Sequence, residues 1–543
     1  MRKILFSVVC MALWIPISAA KDTYVAQYTA GADSGSDCAD AHSAAWFNSS
    51  SNWGSGSTQI GPGTIVHLCG TFTGTVNATL LTTQGNGAAG NPVTIKFETG
   101  AVFTSPAWGQ SGAIHVANSY ITVDGGTNGT IKNTLNGTPG GACLGGPCSV
   151  QQAFTAAVVV DGNYGIVKNL AVTHMCMHTF QVNDNFLFQP CTGIQVNGSN
   201  GLVTQNTIDN AATGIGGSNG AEISYNTITY SNHAITFGIA SGIWTGIVIH
   251  NNDISQLWTW DEPDNAYHHN GIMLFSTGGV ISGIQIYYNY LHGLWSNDSI
   301  YRDTHVTAWV FLDTNGVPNS IPNAMIFRNV FEADSGQYNY PSNGYITMGG
   351  CLISSGCSPS NATLFANNTV VGGGMCFQIR DLSSAPLSFN NLCATTAGAS
   401  LLGSSNNYPG ANIDYNIYAG TPTSNAFYVS SGNVNGWAQW SASPYSLDVN
   451  GRNPTLAAVA FTSNYHLGAG SVAIGRAANL RSRYCAAIPA LCVGAPSTFG
   501  VGGANDGVAV TQSLTANWDV GAYPTGTAAA GPNAPVGLAA IVN

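Results

Sequence analysis

Hydrophobic and polar positions in this chain follow one recurring phrase. From residue 166 onward it reads apolar, two residues, Asn, one residue, usually apolar. It occurs as Ile166-Val-Lys-Asn169, Val203-Thr-Gln-Asn206-Thr-Ile208, Ile223-Ser-Tyr-Asn226-Thr-Ile228 and Ile249-His-Asn-Asn252-Asp-Ile254. It continues as Ile286-Tyr-Tyr-Asn289-Tyr-Leu291, Ile326-Phe-Arg-Asn329-Val-Phe331 and Phe365-Ala-Asn-Asn368-Thr-Val370. Leu387-Ser-Phe-Asn390-Asn-Leu392 and Ile413-Asp-Tyr-Asn416-Ile-Tyr418 complete the set. The gaps between the asparagines are 37, 20, 26, 37, 40, 39, 22 and 26 residues. A unit of 20 to 26 residues therefore recurs, and some copies are enlarged. Within each unit, short β-branched stretches alternate with period two between Gly and Asn turns, which predicts strands.

Such a unit cannot bury its own apolar face, but stacking on copies of itself does so. Parallel strands stacked about 4.8 Å apart then give a coil. One Asn per coil at a fixed corner forms a ladder of amides that satisfies buried turn groups. On these phrases the chain resembles the right-handed parallel β-helix superfamily of pectate lyases and polygalacturonases, over roughly residues 60 to 475. The resemblance implies an all-β fold, a single-stranded right-handed parallel β-helix (solenoid) with an N-terminal cap and loop insertions on one side. Asp414-Tyr-Asn416-Ile-Tyr418, Trp437, Ser471-Val-Ala-Ile-Gly475 and Trp518-Asp519-Val-Gly-Ala-Tyr523 resemble the closing segment of many secreted bacterial β-helix proteins. The expected organisation is a signal peptide at 1–20, a cap at 21–70, the solenoid at 71–475, the closing segment at 476–523 and a flexible tail at 524–543. Within the cap, Asp37 to Phe47 is the best helix candidate.

Charge sharpens this picture. Only 7% of the 543 residues are charged and the formal net charge is −11, well below the charge content of an average soluble protein. A solenoid explains the scarcity, because most side chains face the core or a neighbouring coil, where charge is costly. A nucleic-acid binder would need a basic stripe, which is absent from the sequence. At the N-terminus, Met1-Arg-Lys3, the apolar run Ile4 to Ile17 and Ser18-Ala-Ala20 read as a secretory signal cut after Ala20. No later segment has 18 uninterrupted apolar residues, so no transmembrane span is expected. A secreted protein, extracellular or periplasmic, follows. Beyond Cys10, the 12 remaining cysteines fall as sequence neighbours. They are Cys38 and Cys69, Cys143 and Cys148, Cys176 and Cys191, Cys351 and Cys357, Cys376 and Cys393, and Cys485 and Cys492. A solenoid brings together only residues of the same or adjacent coils, so neighbour disulfides are expected.

Three consecutive enlarged units lie between Asn252 and Asn368. Aligning the strand after each gives Gly271-Ile-Met-Leu-Phe275, Thr307-Ala-Trp-Val-Phe311 and Gly344-Tyr-Ile-Thr-Met348. The insertions then cover about 255–269, 292–306 and 332–343, and all leave at one corner to form one wall of a groove. Residues 253–334 hold nine of the 24 acids, together with Trp258, Trp260, Trp295, Trp309 and four histidines. In a chain so poor in charge, this is where chemistry is expected. By this alignment His269 and His305 occupy equivalent places on adjacent coils. Acids beside imidazoles orient them and raise their pKa, and paired carboxyls divide into acid and base for glycosidic cleavage. Asp264, His269, Asp303 and His305 are the expected catalytic group. Trp258, Trp260, Asp261, Glu262, His268, Trp295, Arg302 and Glu332 are expected to bind substrate, with indole faces against sugar rings.

The polygalacturonase signatures Asn-Thr-Asp, Asp-Asp, Gly-His-Gly and Arg-Ile-Lys are absent, and His268-His-Asn-Gly271 is a distant echo. A lyase would need a basic residue, and Arg302 is the only Lys or Arg in the insertions. In that reading Arg302 or a His is the base, and acids hold Ca2+. Asp264, Tyr267, His268 and His269 resemble the Tyr/Asp/His set of alginate-acting enzymes in residue type. The expected function is a secreted polysaccharide-processing enzyme, with acid/base hydrolysis slightly ahead of β-elimination because acids outnumber bases. The alternatives are a noncatalytic glycan-binding or adhesive protein and a structural β-helix that assembles end to end. The sequence leaves oligomeric state open.

Overall fold

A computed structural model describes residues 21–134, 155–175, 191–257, 269–293 and most of 306–525, with short breaks and the longer ones at 333–345, 349–362 and 495–509. The chain is a right-handed parallel β-helix whose coils present three faces. The first face is a 14-stranded sheet running from His42–Ser43 and Lys21–Ala26 through Ile166–Lys168 and Gln285–Tyr287 to Asn412–Asp414. The second face follows the asparagine corner and includes Ala171–Thr173, Asp253–Ser255, Tyr290–His292 and Val330–Glu332. The third face includes Cys191–Val196, His269–Ser276 and Val306–Asp313. Among the described residues the strands of neighbouring coils pair in parallel, and Phe427–Val429 then folds back antiparallel on Gly432–Val434.

Register turns the alternating pattern into three internal stacks. Ile194, Ile215, Ile235, Ile272 and Val310 stand in one row on the third face, all fully buried. Val203, Ile223, Ile249, Ile286 and Ile326 do the same on the first face. Ile208, Ile228, Ile254, Leu291 and Phe331 fill the second. Like side chains at equal height pack flat against each other, so one interior is built from many weak contacts.

The corner between the first two faces holds the amide ladder. Asn206 Nδ2 donates to Asn226 Oδ1 at 3.0 Å, and the pattern continues through Asn252, Asn289, Asn329, Asn368, Asn391 and Asn416. Each Oδ1 also accepts the backbone N–H of the rung before it, as Asn289 does from Asn252 at 3.1 Å. Two expected rungs are corrected. Asn169 and Asn390 stand one residue earlier, at a left-handed position with φ of 56° and 62°. Leu170 and Asn391 take the corner instead. Gln205, Tyr225, Asn251, Tyr288, Arg328, Asn367 and Tyr415 share that left-handed position, with φ between 53° and 61°. The ladder ends on Asp448, which accepts from Asn416 N, Asn416 Nδ2 and Tyr418 OH at 2.9, 2.9 and 2.8 Å. Burial pushes this carboxyl up to about 7 against those hydrogen bonds.

Both ends are covered. At the first end Phe47 and Trp53 close the core. The expected Asp37–Phe47 helix divides into a 3₁₀ turn at Cys38–Asp40 and a short helix at Ala44–Phe47, capped by Asp37 and Ser43. At the other end Trp440, fully buried, does the same from the helix Trp437–Ser441. The chain from Thr455 to Tyr523, a returning segment that includes the closing segment, then runs back along the outside. Its Val459, Leu480, Leu491, Trp518 and Val520 cover Phe327, Leu364, Ala366 and Phe389. Side chains at the left-handed positions hold its backbone: Tyr288 OH donates to Ala490 O, Arg328 Nε to Leu491 O and Nη1 to Ala522 O, and Asn390 Nδ2 to Ala478 O, all within 3.0 Å.

Disulfides Cys38–Cys69, Cys376–Cys393 and Cys485–Cys492 join sequence neighbours as expected. Cys191 is also disulfide-bonded. Cys143, Cys148, Cys176, Cys351 and Cys357, like residues 1–20, lie outside the described residues. Among the described residues no helix is long and apolar enough to cross a membrane.

Candidate functional site

The insertions begin where the second face ends. Asp253–Ser255, Tyr290–His292 and Val330–Glu332 are neighbours, with Ser255 opposite His292 and Leu291 opposite Phe331. The chain re-enters the third face at His269, Val306 and Ile346, on strands that are again neighbours. All three insertions thus leave one corner. In the two coils just upstream, Thr207–Gly217 and Thr227–Ile239 turn the same corner without interruption.

The strand alignment is corrected by the register. Ile272 lies opposite Val310, so Gly271 faces Trp309 rather than Thr307. Val310 lies opposite Ile346, which moves the third strand by one residue. His269 pairs with Val306, one residue beyond His305, and the register shifts between His269 and Asn270. A β-bulge of this kind is common where a sheet meets a loop. The side chain of His269 lies outside the described set, as do Trp258, Trp260, Asp261, Glu262, Asp264, His268, Trp295, Arg302, Asp303 and His305.

Glu332 is described, and both its oxygens are occupied. Tyr290 OH donates to one, and Tyr465 OH, from the returning segment, donates to the other at 2.7 Å. Burial and the Glu332 carboxylate push the Tyr290 phenol far above its usual range, so it stays a donor. The Tyr290 ring stacks on His292 at 3.8 Å, and His292 Nε2 meets Asp253 Oδ1 at 2.6 Å. An acid–imidazole pair and a tyrosine–carboxylate bridge therefore stand side by side at the roots of the insertions. Sequence reasoning counted Asp253 and His292 among the clustered groups but did not place them in the site. The signal was present: both fall within three residues after a ladder Asn, where alternation turns side chains outward.

The third face presents a different surface. Its partly exposed positions include Gln195, Thr236, Met273, Phe275 and Asp313. A Cβ at Gly238 would collide with the Phe275 ring, so that glycine makes room for an aromatic plate. At the upstream end of this face His115 Nε2 meets Asp161 Oδ2 at 2.7 Å, and Asn197 Nδ2 donates to Asp161 Oδ1 at 2.7 Å. Burial opposes ionisation of Asp161, but the bonds from Asn197 and His115 outweigh it and hold the carboxyl below its usual range. Among the described residues, no group of three or more His, Cys, Asp or Glu side chains is placed to hold a metal ion. The acids expected to hold calcium in a lyase lie in the insertions.

No family model matches the chain. No curated protein matches it either. Among solved structures it is similar to the pectate lyase Pel9A, at 16% identity over 94% of this chain and 97% of that one, with a TM-score of 0.43. It is also similar to a GH136 lacto-N-biosidase from Eubacterium ramulus, at 12% identity over 80% and 67% of the two chains, with a TM-score of 0.40. A third likeness is to the PL6 family alginate lyase AlyGC, at 13% identity over 68% of this chain and 50% of that one, with a TM-score of 0.38.

Proposed function

We propose that this chain is a secreted polysaccharide-processing enzyme that cleaves glycosidic bonds in a groove beside the β-helix, by acid/base hydrolysis ahead of β-elimination. One observation carries the reading. Three insertions rich in acids, histidines and tryptophans leave a single corner of an otherwise charge-poor solenoid. Asp264, His269, Asp303 and His305 are the proposed acid/base group, and the tryptophans and Arg302 the substrate contacts. Asp253 and His292 position the roots of the insertions. Glu332, with both oxygens held, anchors the returning segment beside them. Hydrolysis is placed ahead of β-elimination because acids outnumber bases in the insertions.

The test is a screen of plant, algal and bacterial polysaccharides for new reducing ends and for the ultraviolet absorbance of unsaturated products. Reducing ends without that absorbance support hydrolysis, and both together support elimination. Activity that survives Asp303→Asn combined with His305→Ala overturns the site. Binding without cleavage of any polymer favours the noncatalytic alternative.

A further inference from the structure

The corner between the third and first faces lies away from the insertions, and its residues line up through the same register. Two residues before five successive first-face strands stand Tyr164, Asn200, Gly220, Gly246 and Gly283, and the register places Tyr120, just before Ile121–Asp124, in line with them. All are left-handed, with φ between 57° and 69°. Tyr120 and Tyr164 stack at 4.8 Å with their rings 5° from parallel, and Tyr164 is 42% exposed. Beyond them the side chains fall away. Asn200 leans over Gly220, because a Cβ at Gly220 would run into Asn200 Oδ1. A Cβ at Gly246 would meet only the Gly220 Cα at 3.8 Å, and one at Gly283 would meet nothing within 4 Å. The result is an open shelf ended by a tyrosine stack.

Beside the shelf runs a row of small polar residues, one per coil: Ser119, Asn163, Ser199, Asn219, Thr245 and Ser282. Asn163 Oδ1 accepts Ser199 N–H and Asn219 Oδ1 accepts Thr245 N–H, each at 2.8 Å. Each amide oxygen is thus spent on the turn. Among the described residues neither Nδ2 has an acceptor, so two donors are left to face outward. The donors repeat with the coil, at multiples of about 4.8 Å, which is close to the length of one pyranose ring in an extended chain.

We infer that this shelf is a binding site for an uncharged polysaccharide, separate from the insertion corner and independent of any catalytic role there. A tyrosine plate takes the apolar face of a sugar ring, and the amide and hydroxyl row takes its hydroxyls. No side chain of either row is a carboxylate or a cation. Asp161 and Glu222 flank the rows and the chain's net charge is −11, so a polyuronate would be repelled.

Affinity electrophoresis of the full chain tests this, in native gels containing hydroxyethylcellulose, galactomannan, arabinoxylan or polygalacturonate. At least one neutral polymer is expected to retard the protein. Tyr164→Ala is expected to weaken that retardation about two- to tenfold, the value of one stacked ring. Gly246→Asn fills the shelf with a residue the same row already carries at Asn200, and is expected to weaken it without lowering Tm. Retardation by polygalacturonate alone, by no polymer, or equally of both variants and the parent protein overturns the inference.

Discussion

Asp448 replaces the amide of every earlier rung with a carboxyl, and burial raises its pKa to about 7. Its folded pKa lies above its unfolded one of 3.8. The folded state therefore keeps a proton that the unfolded state releases between about pH 4 and 7, so this site's stabilisation is full at low pH and is lost as pH rises through 7. Asp448→Asn removes the slope. The Tm of the variant relative to the parent protein should rise between pH 5 and pH 8 in thermal melts, and a constant difference would refute this account. Arg328 is the second residue of this kind. It is fully buried, and burial lowers its pKa while two of its N–H groups donate hydrogen bonds to carbonyls of the closing segment. Arg328→Ala should cost about 3 kcal/mol and speed proteolysis within residues 480–522. In the sequence Arg328 is one position of the repeat phrase Ile326-Phe-Arg-Asn329. Its partners lie 163 and 194 residues away, and no periodicity connects a coil to a segment that folds back over it.

At the scale of elements, the amide ladder is what the hydrophobic period exposed most clearly. Asn289 shows what a rung is worth: its Oδ1 takes two N–H groups from Asn252, and its Nδ2 reaches Ile249 O, Tyr287 O and Asn329 Oδ1. Asn289→Gly should cost about 3 kcal/mol or more in urea unfolding, since several buried groups lose partners at once. Asn169→Gly should stay within about 1 kcal/mol. Among the described residues that side chain makes one bond, to Asp124 at 2.9 Å, and glycine suits its φ of 56°. Equal effects would mean the ladder has been misassigned. Asparagine fits both a ladder rung and a left-handed position, so a phrase such as Asn390-Asn391 is ambiguous without the register. The placement of His269 was illegible for a related reason: a bulge leaves no mark on composition.

For the whole molecule, a coil can turn the insertion corner without an insertion. Asn210 to Ala212 does so in the coil before the one ending at Ile239. Replacing residues 258–268 by a turn of that kind should keep the circular dichroism spectrum and a cooperative melt while abolishing cleavage of any substrate polymer. Retained cleavage would move the chemistry elsewhere, and loss of the fold would make the insertion structural. Fold class and the shared corner of the insertions were legible because both are periodic. The closing segment's path and the Tyr290–Glu332–Tyr465 bridge were not, because they depend on contacts made across more than a hundred residues.

That returning segment also sets an order in time. Phe327, Leu364, Ala366 and Phe389 are covered by residues from Val459 to Val520, which leave the ribosome, and any export channel, after the coils they protect. Until they arrive, a growing solenoid shows an apolar flank to its surroundings, the condition under which incomplete chains aggregate. This later-made stretch thus acts as a seal, and a chain stopped at residue 455 should appear in the insoluble fraction even though its coils are complete.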